Sequence, residues 1–253
     1  MNFEKEDKLR TLENKKSLIK NRNLLYWYEK LYEVQFASLG DLKECHILEI
    51  GSGTSPLKRF YPSVITSDIL DLDYLDYRFD CHRIDEVQEI QNDTLDAITM
   101  TNVLHHLKMP LRFLKKAALK LRPGGRLLLA EPYLSTLSRF IYKRIHYEGY
   151  SLMVEKPVIS QIDGPLRTAN SALPYLIFFS DRGWDGELKM LYDFDCRRAR
   201  PYTSLSYFIT GGISHRLPVP HRLYRFLYRV DNWLARQYPN TVSSFFILEM
   251  IRK

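Results

Sequence analysis

The sequence lacks long apolar runs, paired cysteines and a leader-like start. Its longest apolar candidate, 173–179, is far shorter than the about 20 residues that a membrane-spanning helix needs. The three cysteines, Cys45, Cys81 and Cys196, form no CxxC pair, and no HxxxH or HExxH spacing occurs, so we expect neither a disulfide framework nor a metal. The first 20 residues alternate charges instead of forming the apolar core of a secretory signal. These absences predict a globular protein of the cytoplasm.

The net charge of +7 is concentrated in one late segment. Between Arg197 and Arg236 the chain has eight arginines, no lysine and one acidic residue, Asp231, which accounts for the whole excess. A basic surface confined to one segment favours a local anionic partner over a nucleic-acid groove along the whole chain.

Apolar runs alternate with helical patterns, which predicts a Rossmann-like, doubly wound α/β fold with a mostly parallel, seven-stranded sheet. Residues 1–40 have helical periodicity and should form an N-terminal cap. The rest, 41–253, is expected to be one domain, with a ligand-binding half at 41–135 and insertions over the strand ends at 146–187 and 197–240. Strands are predicted at 46–50, 64–68, 95–101, 126–130, 188–196 and 244–251.

The segment with the clearest chemistry is LEIGSGTSP, at 48–56. Glycines at a strand-to-helix turn let the backbone approach a ligand closely and expose N–H groups. A dinucleotide site would have a third glycine where Pro56 stands, so this loop is better suited to an adenosine ligand without phosphates. Asp68, at the end of the next predicted strand, can accept hydrogen bonds from both hydroxyls of a ribose.

Six segments occur in the order seen in class I S-adenosylmethionine-dependent methyltransferases, and residues 46–135 resemble the small-molecule branch often called type 11. They are LEIGSG, ITSDI, FDCHRI, LDAITMTNVLHHL, LRPGG and RLLLAEP. Two later segments, EPYLSTLSRFIYKRIHYEG and FITGGIS, are similar to a bacterial subgroup associated with surface-polysaccharide functions. The resemblance implies S-adenosylmethionine as cofactor and S-adenosylhomocysteine as product.

The same resemblance implies which residues bind the cofactor. Those at the methionine and ribose part are Glu49, Gly51, Ser52 and Gly53, with Asp68 on the ribose. Those at the adenine edge are Asp80 and Cys81. Thr101 and Asn102, at the end of the fourth strand, are expected under the sulfonium and facing the acceptor.

Three histidines are candidates for a catalytic base. Methyl transfer from a sulfonium is an in-line displacement, so the protein contributes mainly alignment. A hydroxyl acceptor also benefits from a base with a pKa near neutrality, and His106, His105 and His146 could supply it. His106 comes first because it follows the fourth strand, at the edge where open α/β sheets bind ligands. We expect transfer to oxygen of a small-molecule or saccharide-type acceptor, which could be lipid-linked.

Two other functions stay open at this stage. The arginine-rich segment could serve an RNA methyltransferase, although residues 101–104 read TNVL and not the Asn/Asp-Pro-Pro-aromatic set of many enzymes that methylate base amino groups. Nucleic acid is therefore not the expected partner. The third hypothesis is a non-catalytic adenosine-ligand-binding or membrane-docking protein. The oligomeric state is open.

Residues 221–237 predict an amphipathic helix. At 100° per residue the apolar side chains form one stripe, and the arginines cluster within about 60° beside it. The stripe comprises Leu223, Phe226, Leu227, Val230 and Leu234, and the arginines are Arg222, Arg225, Arg229 and Arg236. We expect the stripe to pack on the core and the basic edge to face water. The alternative is contact with an anionic membrane, at its inner face, or with a phosphate-bearing acceptor.

Overall fold

The computed structural model describes residues 3–144, 149–160, 164, 166–213 and 217–253. Within them, seven strands form one path in the order β3-β2-β1-β4-β5-β8-β6, and β7 pairs with β8 as a short additional strand. The strands are β1 (Ile47–Ile50), β2 (Ile65–Asp68), β3 (Tyr77–Arg78), β4 (Leu95–Thr101), β5 (Leu121–Pro132), β6 (Tyr192–Asp193), β7 (Arg200–Tyr202) and β8 (Phe245–Arg252). Neighbours among the first five are parallel, whereas β8 runs antiparallel to β5.

Helices cover both faces of this sheet, which confirms the predicted doubly wound α/β fold. They are α1 (Phe3–Lys20), α2 (Arg22–Gln35), α3 (Leu57–Phe60), α4 (Pro110–Lys120), α5 (Thr136–Arg144), α6 (Leu173–Phe178), α7 (Leu188–Leu191), α8 (Ser206–Ile209), α9 (His221–Gln237) and α10 (Pro239–Val242). The residues expected to form one N-terminal cap form two helices, because the side chain of Asn21 accepts the N–H of Leu24 and starts α2 anew.

Two apolar cores lie on opposite faces of the sheet. One packs α4, with Phe113 and Leu114, against β4 and β5. The other packs α2 and α9 against the same strands and contains Trp27, Leu128 and Tyr224. Because β1 lies between β2 and β4, the chain turns in opposite directions from it, and such a switch point opens a crevice at the carboxyl ends of the strands.

Two predictions about the C-terminal half are wrong. Residues 188–196 are mostly not a strand, since α7 occupies the first four and β6 holds only Tyr192 and Asp193. The predicted apolar stripe of α9 does not pack on the core. The buried residues of α9 are Tyr224, Tyr228, Asp231 and Ala235. Of the predicted stripe, Leu223, Phe226 and Val230 are exposed, and Leu227 and Leu234 are partly buried. The polar ends of the buried tyrosines and Asp231 all find hydrogen-bond partners, which lets this face be the inner one.

Across the part of the chain that the structure describes, no helix combines the length and the apolar character needed to cross a membrane.

Candidate functional site

A cavity of about 1070 Å³ opens at the carboxyl ends of β1, β2 and β4. Its walls include Gly51 and Gly53 after β1, Asp68 at the end of β2, and Thr101 and Asn102 at the end of β4. Asp80, Cys81, His105 and His106 also line it. The fold therefore brings together most of the residues that the sequence implied for cofactor and catalysis.

The glycine loop allows a close approach that no other residue would permit. Gly51 has φ +76°, and a Cβ placed on it would lie 2.4 Å from Cγ2 of Val103. A Cβ on Gly53 would lie 2.9 Å from Cγ2 of Thr11 and 3.0 Å from Oδ2 of Asp68. Both positions thus require glycine, because a side chain would push against the turn after β4, against α1 or against the end of β2.

Asp68 ties the glycine loop to the end of β2. Its Oδ2 accepts the N–H of Gly53 at 3.0 Å, and its Oδ1 accepts the N–H of Leu70 at 3.0 Å. Burial raises the pKa of this carboxyl, although both backbone donors act in the opposite direction. Each carboxylate oxygen has a second lone pair, so the group can still accept the two hydroxyls of a ribose from the cavity side.

Glu49 and Ser52 lie behind the part of the loop that lines the cavity. Among the described residues, the cavity wall contains Gly51, Gly53 and Ser55 from this segment, whereas Glu49 and Ser52 are nearly fully buried beneath it. The Ser55 hydroxyl donates to Oε1 of Glu49, and burial raises the pKa of Glu49 to about 7. Oε2 of Glu49 has no hydrogen-bond partner among the residues that the structure describes. Glu49 therefore supports Ser55 from below and offers a buried acceptor beside the loop.

The adenine edge predicted at Asp80 and Cys81 is the start of a short 3-10 turn. Oδ1 of Asp80 accepts the N–H of His82 at 2.9 Å and lies 2.7 Å from its Nδ1. Nε2 of the same ring accepts the N–H of Met109 at 3.1 Å, so both nitrogens are engaged. Burial raises the pKa of the Cys81 thiol far above its usual range. One potential metal-ligand atom from each of Asp80, Cys81 and His82 lies within 4.8 Å of the other two. The Asp80 carboxylate and both ring nitrogens of His82, however, already make hydrogen bonds that hold the turn.

Thr101 and Asn102 mark the floor of the cavity. Oγ1 of Thr101 donates to Oε1 of Gln35 at 3.3 Å, which connects β4 to the buried end of α2. Asn102 has φ +56°, a left-handed conformation that asparagine tolerates better than most residues. Its N–H donates to the carbonyl of Ala130 at 2.8 Å, whereas its Oδ1 is buried and finds no partner in the described part of the chain. A ligand is the natural source of the missing donor.

His105 is held by Glu131, which lies near the end of β5. Nδ1 of His105 lies 2.7 Å from Oε2 of Glu131, and both side chains are at most 2% exposed. Oε1 of Glu131 accepts the N–H groups of Val103 and Leu104 at 2.8 and 2.7 Å. A carboxylate can only accept, so Nδ1 of His105 carries the hydrogen, and in the neutral ring the lone pair is on Nε2.

His106 is held in the same way by a backbone carbonyl. Its Nδ1 lies 2.9 Å from the oxygen of Thr168, which can only accept, so the lone pair of the neutral ring is again on Nε2. The two histidine rings are 4.3 Å apart between centroids. The third candidate, His146, lies outside the described residues.

Helix α1 forms a wall of the cavity that sequence reasoning missed. Arg10, Thr11 and Asn14 of this helix line it. Oδ2 of Asp7 accepts the N–H of Leu166 at 3.3 Å, and Glu6 forms an ion pair with Arg167 at 2.7 Å. Helix α1 is therefore joined to the first of the two insertions, at 146–187. The polar residues of the helix carried no motif, and only contacts that are distant in sequence give them this role.

Helix α5 and the two insertions form another part of the cavity wall. Aromatic side chains dominate it, together with the glycine pair of the FITGGIS segment. Its lining includes Tyr142, Thr168, Tyr207, Phe208, Gly211 and Gly212. Both glycines have positive φ, at +87° and +63°, which turns the chain sharply beside the cavity. Both insertions therefore contribute residues to the cavity wall.

The residues present fit S-adenosylmethionine. Two buried oxygens, Oε2 of Glu49 and Oδ1 of Asn102, lack donors from the described ranges of the chain, and the space that a Cβ at Gly53 would fill is adjacent to Asp68. Carboxylate and amide acceptors suit a ligand that carries an ammonium group, ribose hydroxyls and a sulfonium. Free phosphates are disfavoured by the same carboxylates, in line with Pro56 replacing the third glycine of a dinucleotide loop.

Comparisons with known proteins agree with this geometry. Residues 21–162 match the family described as a methyltransferase domain. No match was found among curated protein sequences. Similar solved structures include a SAM-dependent methyltransferase from Archaeoglobus fulgidus, with 12% identity, TM-score 0.48, and coverage of 89% of this chain and 94% of that one. A second is an S-adenosylmethionine-dependent methyltransferase from Mesorhizobium loti, with 14% identity, TM-score 0.47, and coverage of 87% of this chain and 97% of that one. A third is a putative methyltransferase from Bacillus halodurans, with 17% identity, TM-score 0.45, and coverage of 89% of this chain and 98% of that one.

The family match spans more than half of the chain, whereas the structural similarities are too distant to add to it. With its sheet order, its glycine loop and the carboxylate of Asp68 in one cavity, the chain belongs to the methyltransferase domain family and is an enzyme whose cofactor is S-adenosylmethionine.

Proposed function

We propose that this enzyme transfers the methyl group of S-adenosylmethionine to a hydroxyl oxygen of a small-molecule acceptor of saccharide type. The observation that carries the proposal is the placement of His106. Its ring lines the same cavity as the cofactor residues, and Thr168 directs its basic nitrogen away from the backbone. A base at this position accelerates methyl transfer when the acceptor must lose a proton, as a hydroxyl does.

The half of the cavity that contains Gly51, Gly53 and Asp68, called the cofactor half, would bind and orient S-adenosylmethionine. S-adenosylmethionine supplies an electrophilic methyl group on a positively charged sulfur. Asp68 would hold the ribose, Gly51 and Gly53 admit the ligand against the backbone, and Asn102 offers its unsatisfied Oδ1. Alignment of this kind lowers the barrier of a displacement by several kcal/mol, which is on the order of a thousandfold or more in rate.

The proton of the acceptor hydroxyl would move to Nε2 of His106. The ring of His105 lies beside that of His106. Because Glu131 holds the His105 ring, that ring cannot rotate freely. His106 is the proposed catalytic residue, and His105 and Glu131 are positioning residues. An amine acceptor, in contrast, needs a base only to shed its proton before attack and gains less from this arrangement.

The saccharide assignment is supported by the aromatic end of the cavity. Sugar rings present C–H faces that pack on aromatic rings and hydroxyls that need polar partners, and Tyr142, Tyr207 and Phe208 lie there with Thr168. The segments EPYLSTLSRFIYKRIHYEG and FITGGIS resemble proteins of surface-polysaccharide pathways, and the second of them contributes to this end.

The cofactor half is tested by calorimetric titration with S-adenosylmethionine and S-adenosylhomocysteine. We expect micromolar binding to the wild type and at least a tenfold loss in Asp68→Ala. Asp71→Ala is the matched control, because Asp71 lies three residues away on the same loop and is largely exposed. Absence of heat for the wild type, or equal affinity of the two variants, contradicts the assignment of the cavity.

The acceptor half is tested with radiolabelled methyl groups. The enzyme is incubated with methyl-labelled cofactor and, separately, with nucleotide sugars, lipid-linked saccharides, free amines and bulk tRNA. We expect label in a saccharide fraction, as a methyl ether by mass spectrometry, and its loss in His106→Gln with cofactor affinity unchanged. Label in amines or RNA overturns the proposal, and so does binding of cofactor without any transfer.

A further inference from the structure

Helix α9 carries an apolar ridge on its outer side. Leu223, Phe226, Val230 and Trp233 are 50%, 62%, 41% and 57% exposed. With about 100° per residue they fall within an arc of about 80°, on the side opposite Tyr224 and Ala235. Isolated exposed apolar residues are ordinary on protein surfaces, but four large ones along one side of a helix indicate a binding surface.

The ridge is held outward by the contacts of the inner face. The hydroxyl of Tyr228 lies 3.0 Å from that of Tyr202, and Tyr224 donates to the carbonyl of Ser206. The carboxylate of Asp231 accepts the N–H groups of Ser204, Leu205 and Ser206, each at 2.9 Å. Rolling the helix to bury the ridge would break all of these contacts, so the exposure is built into the fold.

Positive charge lies directly beside the ridge. The exposed arginines of α9 fall in the neighbouring arc of about 60°, and they are Arg222, Arg225, Arg229 and Arg236. Asp231 is the one acidic residue in the α9 sequence, and it is buried on the inner face. The outer side of the helix therefore combines apolar bulk, an exposed tryptophan and positive charge.

We propose that α9 docks this protein on an anionic lipid bilayer, with the ridge in the headgroup region and the arginines on lipid phosphates. A helix of this make-up lies in the plane of a membrane surface. Arginine pairs with phosphate through its two-pronged guanidinium, and tryptophan favours the boundary between water and hydrocarbon. An acidic protein would complement the arginines, but it leaves the protruding ridge without a matching groove.

The docking surface is close to the acceptor end of the cavity. Leu217 lines the cavity, is 46% exposed, and precedes α9 by only four residues, which span at most about 14 Å. The connecting segment is fixed, because the side chain of Asn23 donates to the carbonyl of Val219 at 2.8 Å and contacts His221. A lipid-linked acceptor could thus reach the cavity from the membrane. Docking itself does not depend on the proposed acceptor.

The test is cosedimentation of the whole protein with two kinds of vesicle, one of phosphatidylcholine alone and one that also contains the anionic lipid phosphatidylglycerol. We expect binding to the anionic vesicles, at least a tenfold loss in Phe226→Ser/Val230→Ser, and a similar loss in Arg222→Glu/Arg229→Glu. Fluorescence of Trp233 should shift to the blue on binding, and Trp233→Phe should remove most of this shift.

Matched controls separate docking from general effects. Leu119→Ser changes an apolar residue of similar exposure on α4, which packs on the other face of the sheet. Lys43→Glu/Lys115→Glu makes the same change in net charge away from α9. Both should bind vesicles as the wild type does, and every variant should keep its affinity for S-adenosylhomocysteine.

Three results overturn the proposal. One is equal sedimentation of the ridge variants and the wild type. Another is a dimer in light scattering that Phe226→Ser dissociates, since the ridge would then be an interface between two copies. The third is binding of tRNA that the arginine variant abolishes, together with no affinity for vesicles. Failure of cofactor binding, in contrast, would affect the proposed function and not this one.

Discussion

Oε2 of Glu131 lies 2.7 Å from Nδ1 of His105, while Oε1 of the same carboxylate accepts the backbone N–H groups of Val103 and Leu104. One buried side chain near the end of β5 thus fixes both an imidazole of the cavity and the turn that follows β4. That turn also places Val103 against Gly51, so Glu131 connects the histidine pair to the glycine loop.

Glu131→Gln should disturb both connections, because an amide nitrogen cannot accept a hydrogen bond. We expect the free energy of unfolding to fall by about 1–3 kcal/mol, the usual cost of an unsatisfied buried group. The ¹⁵N resonances of the His105 ring should change, whereas those of His82 should not. Glu249→Gln in β8, which removes one end of a partly exposed ion pair with Arg126, is the control. Identical histidine spectra in mutant and wild type would contradict the arrangement.

Gly51→Ala should abolish cofactor binding for a steric reason. The new Cβ meets Val103 at 2.4 Å, and the turn can yield only by breaking its bonds to Glu131. Gly124→Ala is a matched control, because Gly124 has nearly the same φ, +75°, and nothing within 4 Å of the new Cβ. Both variants should lose about 1 kcal/mol or more of stability from the strained backbone.

The binding of S-adenosylhomocysteine, measured by calorimetry, distinguishes the two glycine variants. A tenfold or greater loss is expected in Gly51→Ala alone. Similar losses in both would mean that strain at a positive φ, and not the close approach of the loop to Val103, explains the requirement for glycine.

Stability should decrease from pH 5 to pH 8 through Glu49. Burial raises the pKa of Glu49 to about 7 in the folded protein from an ordinary 4.5. Between these values the folded state retains a proton that the unfolded state has lost, so raising the pH favours unfolding. The full effect, reached above pH 7, is about 3 kcal/mol at about 1.4 kcal/mol for each unit of pKa.

Glu49→Gln removes this titration. Chemical denaturation at pH 5 and pH 8 should show a smaller difference in the free energy of unfolding for the mutant than for the wild type. Equal pH dependence in the two proteins would show that Glu49 stays ionised in the folded state.

Asp231→Ala should destabilise the acceptor side without weakening cofactor binding. The change leaves the N–H groups of Ser204, Leu205 and Ser206 without their acceptor, at a cost of about 2–4 kcal/mol. Asp195→Ala, which removes the acceptor of one exposed turn, should destabilise the protein much less than Asp231→Ala does. Thermal denaturation and calorimetry check the two parts, and a lost affinity for S-adenosylhomocysteine would show that the two ends of the cavity are coupled.

The region from β1 to β2 shows how far local pattern reaches. A strand, a glycine turn and an acid at the end of the next strand lie within about twenty residues, and the resemblance to methyltransferases rested on such short segments. The structure places Gly51, Gly53 and Asp68 on one wall as expected, since neighbouring parallel strands end at the same edge. It places Glu49 and Ser52 beneath that wall, which sequence spacing does not reveal.

Helix α9 shows where local pattern fails. Its leucines and valine have helical spacing, but its tyrosines have it too, and periodicity alone does not say which stripe is buried. Partners distant in sequence decided this, because Tyr202 and the backbone of Ser204 and Ser206 satisfy the polar atoms of the inner face. Without those partners, burial of Asp231 would be costly and the apolar stripe would be the better inner face.

The sequence by itself determined the class of the fold, the glycine loop and the carboxylate at the end of β2, because each depends on residues that are close along the chain. Only the tertiary structure decided that α1 forms a wall of the cavity, that Glu131 holds His105, and that α9 turns its apolar ridge to solvent. Each of these depends on hydrogen bonds between segments 18 or more residues apart, and the free energy of such contacts exists only once the sheet has brought the segments together.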